Sequence, residues 1–447
     1  MQDRSESMLV IGAGPVGLAV AKALLEHQIP YEQIEADDDV GGNWYHGVYA
    51  TAHIISSRKT TEYSDFPMPD DYPDFPSREQ MVRYLRAYAD YAGLRPHIQF
   101  NTKVVMCRPL PDERWEVELA DGERRIYKGV LVCNGHHWDR RFPVYPGTFA
   151  GEYYHSKDYK SPDQLAGRRV LVVGGGNSAC DVAAEAARVA KSCHLSLRRG
   201  YWFLPKTLFG RPLVEVLPGW VPVPVQRLML KLALRVVFGQ YEKYGLPRPN
   251  HRIFEAHPTL NSELLHYVKH GRIRPKPGIA RLDGHKVHFA DGSIEEFDTV
   301  ICATGYYVSF PFLPPGMVPV RDDHIALVYG GVCLPDYKHL YIVGTMQPRY
   351  GFGPLITRAG GLICEMIRLQ DRMELPIGLV MKETGQRPPD THLVNPHAAM
   401  RQMWLAERTL PMLLKKEQKL REKFREKTRS EVKHVVSAQT NPDLRVY

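Results

Sequence analysis

The chain carries the same three-part pattern twice: an apolar run, a glycine-rich turn, and a run of helical spacing. In the first copy, residues 8–11 are apolar, Gly12-Ala13-Gly14-Pro15-Val16-Gly17 follows, and residues 18–27 have helical composition. In the second, residues 169–173 lead into Gly174-Gly175-Gly176-Asn177-Ser178-Ala179 and then into residues 180–190. Set between a buried strand and a helix, each glycine has its own task. The first makes the turn, the second lets backbone approach a pyrophosphate, and the third position lets helix and strand pack closely. Ala179 is small enough for that third position. The helix N-terminus then faces the phosphates. The expected fold class is therefore α/β, with two Rossmann-like dinucleotide-binding domains.

The end of the next strand distinguishes the two sites. After the first loop the strand at residues 31–34 ends at Glu35. A carboxylate there accepts ribose hydroxyl protons, which favours an unphosphorylated adenosine ribose such as that of FAD. After the second loop the strand at residues 194–197 ends at Arg198-Arg199-Gly200. Two guanidinium groups suit a 2′-phosphate, because charge-assisted Arg–phosphate bonds are strong and often bidentate. The first site is read as FAD and the second as NADPH.

The composition narrows the function class. With 447 residues there is room for two or three domains. The net charge of +8 is compatible with anionic ligands or with weak peripheral membrane contact. No nucleic-acid-binding module is recognisable, so no nucleic acid is expected. The seven Cys are scattered without a C-x-x-C pair, which argues against a disulfide framework, a zinc site and dithiol chemistry. No metal is expected. A short polar lead runs directly into the first strand, and no run of about twenty apolar residues occurs, so a cytoplasmic location is expected. Oligomeric state is not fixed by the sequence; a homodimer is one possibility.

Between the two loops lies Phe149-Ala150-Gly151-Glu152-Tyr153-Tyr154-His155-Ser156-Lys157-Asp158-Tyr159. This F-x-G-x-x-x-H-x-x-x-Y stretch resembles the fingerprint of the flavin-containing monooxygenases. Gly41-Gly42-Asn43-Trp44 resembles that family's G-G-x-W segment beside the flavin. Residues 300–306, ending Ala303-Thr304-Gly305-Tyr306, resemble its segment returning near a cofactor. The resemblance implies that Gly12, Gly14, Gly17, Glu35, Gly42, Asn43 and Trp44 hold FAD. It implies that Gly174, Gly176, Asn177, Ser178, Arg198, Arg199, Thr304 and Gly305 serve NADP and the interdomain surface, with His155 linking the domains. There are two departures. The family's active-site Asn falls on Ile55, which has no hydrogen-bonding side chain, so a neighbour, Ser56 or His53, takes the role or the chemistry differs. On the helix near residues 354–368, Thr357-Arg358-Ala359 replaces a common Glu-x-Gln.

The implied architecture is the three-layer ββα type. Residues 1–160 plus 295–447 form a discontinuous FAD domain, and residues 161–294 an NADP domain with a helical insert at about 207–255. The hairpin at 287–297 is expected to return the chain to the flavin domain. The alternating charges of residues 412–436 read as a solvated helix. The resemblance implies an NADPH- and O2-dependent monooxygenase that places one oxygen on a small organic substrate, an amine or sulfide, through a C4a-(hydro)peroxyflavin. Three alternatives stay open: Baeyer–Villiger oxygenation of ketones, an NADPH oxidase releasing hydrogen peroxide, and a non-catalytic nucleotide sensor.

Overall fold

The computed structural model describes residues 2–216 and 220–439, with side chains as far as residue 427. Residues 217–219 of the expected insert, and the side chains at the end of the expected C-terminal helix, lie outside it.

The first glycine loop follows the strand Gln2–Ile11, whose last four residues are buried. That strand pairs in parallel with Tyr31–Ile34 on one side and with Arg124–Val132 on the other. Arg124–Val132 belongs to two layers. Its first half pairs antiparallel with Trp115–Leu119, and its second half pairs in parallel with Leu340–Ile342. In the sequence, residues 98–107, 115–119 and 126–133 alternate as strands between turn residues, and Val104–Pro109, Trp115–Leu119 and Arg124–Val132 indeed form a small meander, continuous with the parallel sheet. The helix Pro15–Glu26 packs on this sheet and against Gly353–Gln370. A Cβ on Gly360 would stand 2.9 Å from the Cβ of Ala23, so that crossing is as close as glycine allows.

The second glycine loop follows Arg169–Val173, at the centre of a five-stranded, all-parallel sheet. Its order is Ile273–Lys276, Ser192–Ser196, Arg169–Val173, Thr299–Cys302 and Glu152–His155. Arg169–Val173 and Thr299–Cys302, inside the sheet, read in sequence as near-continuous apolar runs, whereas the edge strands Ile273–Lys276 and Glu152–His155 are only partly buried. The sheet extends beyond the 161–294 segment drawn from the sequence, taking one edge strand from before it and one strand from after it. The reason is pairing geometry. The fingerprint strand Glu152–His155 finds its partner in Thr299–Cys302, not in the first sheet. The hairpin near 287–297 likewise stays with this domain. Lys286–Phe289 and Ile294–Glu296 join Ile279–Gly284 and Gly147–Phe149 in a four-stranded sheet, and Val287, Phe289 and Phe297 pack on Leu171 and Val173.

The insert has its own small core. Helix Val223–Val237 buries Leu230 and Leu234 against Leu204, Leu213, Ile253 and Leu260. Its opposite face leaves Val225, Leu228, Met229, Leu232 and Val236 exposed. At the other end of the chain, Pro396–Thr409 is followed by the long helix Met412–Gln439. No described helix is long and apolar enough to cross a membrane.

Candidate active site between the two nucleotide loops

At the first loop, Gly12 has φ +102°, and a Cβ there would stand 2.7 Å from the Cys133 carbonyl oxygen. A Cβ on Gly17 would meet the Gly12 carbonyl at 2.0 Å. The second glycine pair closes on the same turn. The Gly41 amide donates to the Ala13 carbonyl at 3.0 Å, and a Cβ on Gly42 would lie 2.9 Å from the Gly14 Cα. The helix Pro15–Glu26 starts with no side-chain cap and no acid in its first turn, so its free amides and positive dipole end suit phosphate. Glu35 is buried beneath the loop. One carboxylate oxygen accepts the Ala13 amide at 2.5 Å and the other the Asp37 amide at 3.0 Å. Burial raises its pKa, and the backbone amides partly oppose that. His136 adds an unsatisfied acceptor. Its Nδ1–H donates to the Gly344 carbonyl at 2.9 Å, which leaves the buried Nε2 lone pair without a partner among the described residues. A cradle only glycine can form, an uncapped helix start and orphaned polar groups all fit a bound dinucleotide such as FAD.

The second loop repeats the arrangement. Gly174 has φ +125°, and a Cβ there would be 2.3 Å from the Ala303 carbonyl oxygen. Gly176 caps Asn177–Val189 without a side-chain bond, and no acid stands in the first turn. Arg198 and Arg199 are exposed, with no ion pair among the described residues; Arg199 lies over the Tyr201 ring at 5.3 Å. Both guanidinium groups are therefore available to an anion. The Asn177 side chain is already engaged, accepting the Leu260 amide at 2.8 Å, and Ser178 stands half-buried beside it. The Thr304 hydroxyl is engaged too, donating to the Arg141 carbonyl at 2.5 Å. These two residues position backbone.

The two loops lie on either side of one seam. His155 is fully buried within it. Its Nε2–H donates to the Gly305 carbonyl at 2.9 Å, and its Nδ1 accepts the Lys157 amide at 3.1 Å. Those two bonds fix the tautomer, and burial keeps the ring neutral by lowering its pKa. Lys157, two residues on, donates to the Asn43 side chain at 3.2 Å and so connects the fingerprint to the Gly-Gly-Asn-Trp segment. Trp44, half-buried, gives its carbonyl to the Arg78 guanidinium at 3.1 Å. Asn134 donates to the Ser309 carbonyl at 3.1 Å, tying the segments after the two central strands together.

The segment 53–57 is placed differently from the expectation for its side chains. Ile55 packs on the insert's apolar cluster beside Tyr350 and Trp202. Ser56 shares a hydrogen bond with the Thr61 hydroxyl at 2.7 Å. His53 contacts the Thr51 carbonyl through Nδ1 and the Lys206 ammonium through Nε2. Both polar neighbours of Ile55 are thus occupied by local partners. On the helix Gly353–Gln370, Thr357 turns its hydroxyl back to the Gly353 carbonyl at 2.9 Å, and Arg358, at the middle position of the triplet, forms a two-bond ion pair with Glu407, 2.8 and 2.6 Å.

Lys157, Asp181, Glu185 and Lys206 did not emerge from sequence reasoning as site residues. The available signal was slight: Asp181 and Glu185 are two acids four residues apart on an otherwise Ala-rich helix.

Residues 5–395 match the family described as flavin-binding monooxygenase-like. The chain is 34% identical to flavin-containing monooxygenase 5 of Oryctolagus cuniculus, over 77% of this chain and 70% of that protein. It is 31% identical to dimethylaniline monooxygenase [N-oxide-forming] 2 of Mus musculus, over 79% and 71%. Among solved structures, a flavin-containing monooxygenase from Stenotrophomonas maltophilia superposes with a TM-score of 0.62 at 23% identity, covering 82% of this chain and 99% of that one.

Changing Arg198 and Arg199 together to Ala is expected to raise KM for NADPH about tenfold or more, and that for NADH less than about twofold. Steady-state kinetics with both nucleotides check this; equal effects would mean that the guanidinium groups do not read a 2′-phosphate.

Proposed function

The chain belongs to the flavin-binding monooxygenase-like family, and from that premise we propose that it transfers one oxygen atom from O2 to a soft nucleophile, an amine or sulfide, at the seam between its two glycine loops. It is an oxidoreductase that uses FAD and NADPH. When bound, these coenzymes supply hydride transfer and O2 activation, chemistry that no side chain here provides.

The chain's own part is binding, orientation and exclusion of water. Gly12, Gly14, Gly17, Glu35, Gly42, Asn43 and Trp44 would hold FAD. Gly174, Gly176, Ser178, Arg198 and Arg199 would hold NADP(H), with Asn177, Thr304 and Gly305 shaping the backbone around it. His155, neutral and with both ring nitrogens engaged, holds the seam together and has no free position from which to move a proton. Ile55 and Tyr350 continue the apolar cluster of the insert, so the position of Ile55 presents an apolar side chain and not a hydrogen-bonding one. The observation carrying the reading is the pair of uncapped, glycine-built loops, with Lys157 bonded across the seam to Asn43 and the Gly305 carbonyl, held by His155, bonded across it to the Arg141 amide.

A second reading is favoured by Ile55. On that reading, with no hydrogen-bonding group at that position, O2 reduction loses its coupling to substrate and releases hydrogen peroxide. Product analysis separates the readings. The monooxygenase reading expects N-oxide or sulfoxide to account for most of the NADPH consumed. Peroxide equal to NADPH with every amine and sulfide tried would overturn it in favour of the oxidase, and an ester from a ketone would replace it by Baeyer–Villiger chemistry.

The proposal extends to a peripheral contact with an anionic lipid surface. It is supported by the exposed apolar face of Val223–Val237, by exposed Trp220 and Phe209 nearby in sequence, and by exposed Lys231 and Arg235 on the same helix. Co-sedimentation with vesicles containing phosphatidylserine, weakened by Leu228→Ser with Leu232→Ser, is the expected result. Equal recovery with neutral and anionic vesicles would contradict it.

A further inference from the structure

The segment 49–57 belongs by sequence to the first nucleotide domain, yet its leading end is bonded to the helix of the second. The Tyr49 hydroxyl donates to Asp181 at 2.8 Å. The Thr51 hydroxyl and the Tyr159 hydroxyl both donate to Glu185. Asp181 and Glu185 stand four residues apart on Asn177–Val189, and so on one face of the helix that begins at the second glycine loop. The contacts are not superficial. Glu185 is 7% exposed, Tyr159 fully buried, and Tyr49 and Ala52 lie in the core cluster of the second domain with Val182 and Ala186. Asn261 also holds Asp181, at 2.9 Å, so the carboxylate's position is set from two sides.

The backbone that follows is hydrogen-bonded to its own domain, while the His53 and Ile55 side chains touch Lys206 and the insert's apolar cluster. The Ala52 carbonyl accepts the Arg78 amide at 2.7 Å, and the Ile54 amide donates to the Pro76 carbonyl at 3.1 Å. The Arg78 side chain then reaches the Trp44 and Tyr45 carbonyls. One bonded path therefore leads from the second nucleotide helix, through residues 49–52 and Arg78, to the Gly-Gly-Asn-Trp segment of the first site.

We propose that Asp181 and Glu185 are positioning residues that couple nucleotide occupancy at the second loop to the placement of residues 49–57 beside the first. The inference rests on the reading of the second loop as the NADP(H) seat. A nucleotide bound at the start of Asn177–Val189 restrains that helix. The two carboxylates, about one and two turns in, pass the restraint to Tyr49 and Thr51. The positions that follow, Ile55 and Ser56, are then ordered when the nucleotide is present.

The test is hydrogen–deuterium exchange of the peptide covering residues 49–57 in the full-length protein, with and without NADP+, while NADP+ binding is measured separately by equilibrium dialysis. In the wild-type protein NADP+ is expected to slow exchange of this peptide at least about fivefold, the low end of typical coupling. In Tyr49→Phe with Thr51→Val, which removes both hydroxyl donors and leaves the helix intact, NADP+ still binds but the slowing is lost. A purely structural role would raise exchange by the same factor with and without NADP+, and that result would overturn the proposal. Binding of NADP+ to wild type with no change in the peptide would overturn it as well. Failure of wild type to bind NADP+ would remove the second-site reading itself, a distinguishable outcome. If the double variant does not fold, Tyr49→Phe alone carries the test, with partial loss of the NADP+ effect expected and an undiminished effect overturning the proposal.

Discussion

The carbonyl of Gly305 is the point on which the two halves depend. It accepts the Nε2–H of His155 at 2.9 Å and the Arg141 amide at 3.1 Å. His155 ends the edge strand of the second sheet, whereas Arg141 lies in the connection leaving the first sheet after Val132. Gly305 has φ +87°, a conformation in which any side chain would be strained. With donors from His155 and Arg141 converging on this one carbonyl, the seam has a defined register and not a loose hinge. Around it, each first glycine presses on the carbonyl that follows a neighbouring strand: Gly12 on Cys133 and Gly174 on Ala303. The two nucleotide loops thus pack against the ends of Arg124–Val132 and Thr299–Cys302, and the connections leaving those strands meet at the Arg141–Gly305 bond.

Much of this could be read from the residues because the signals were local. Gly12-x-Gly14-x-x-Gly17 and Gly174-x-Gly176-x-x-Ala179 stand between an apolar strand and a helix, the setting that a dinucleotide-binding turn requires. The small meander and the helix Gly353–Gln370 were legible for the same reason, a strong period bounded by turn residues. What the sequence did not reveal depends on partners distant in the chain. The strand Glu152–His155 was assigned to the first domain because it precedes the second loop. Its pairing with Thr299–Cys302, roughly 150 residues away, places it in the second sheet. The hairpin at 287–297, expected to return the chain to the flavin domain, differs for the same reason, since only packing on Leu171 and Val173 says which sheet it covers.

The site divides along the same line. Residues whose role is set by backbone shape, Gly12, Gly17, Gly42 and Gly174, are where the pattern put them. Residues whose role is set by a side-chain partner are not readable alone. Asn177 and Thr304 spend their polar groups on the Leu260 amide and the Arg141 carbonyl, and Ile55 is claimed by the insert's apolar cluster. Glu185, buried with two hydroxyl donors, looks in the sequence like any acid on a helix. Its burial makes it a fixed anchor, because a carboxylate is retained inside only when its hydrogen bonds are satisfied.

These features make the molecule a two-coenzyme device in which protein geometry does the positioning and the coenzymes do the chemistry. The most direct measurement of that claim is anaerobic titration of the purified, FAD-loaded protein with NADPH, followed by visible absorbance. Two coenzymes facing across the Gly305 seam predict that NADPH bleaches the oxidised flavin band in proportion to the amount added. An oxidised band that persists while NADPH is demonstrably bound would show that the two loops do not open on a common site, and would contradict the account.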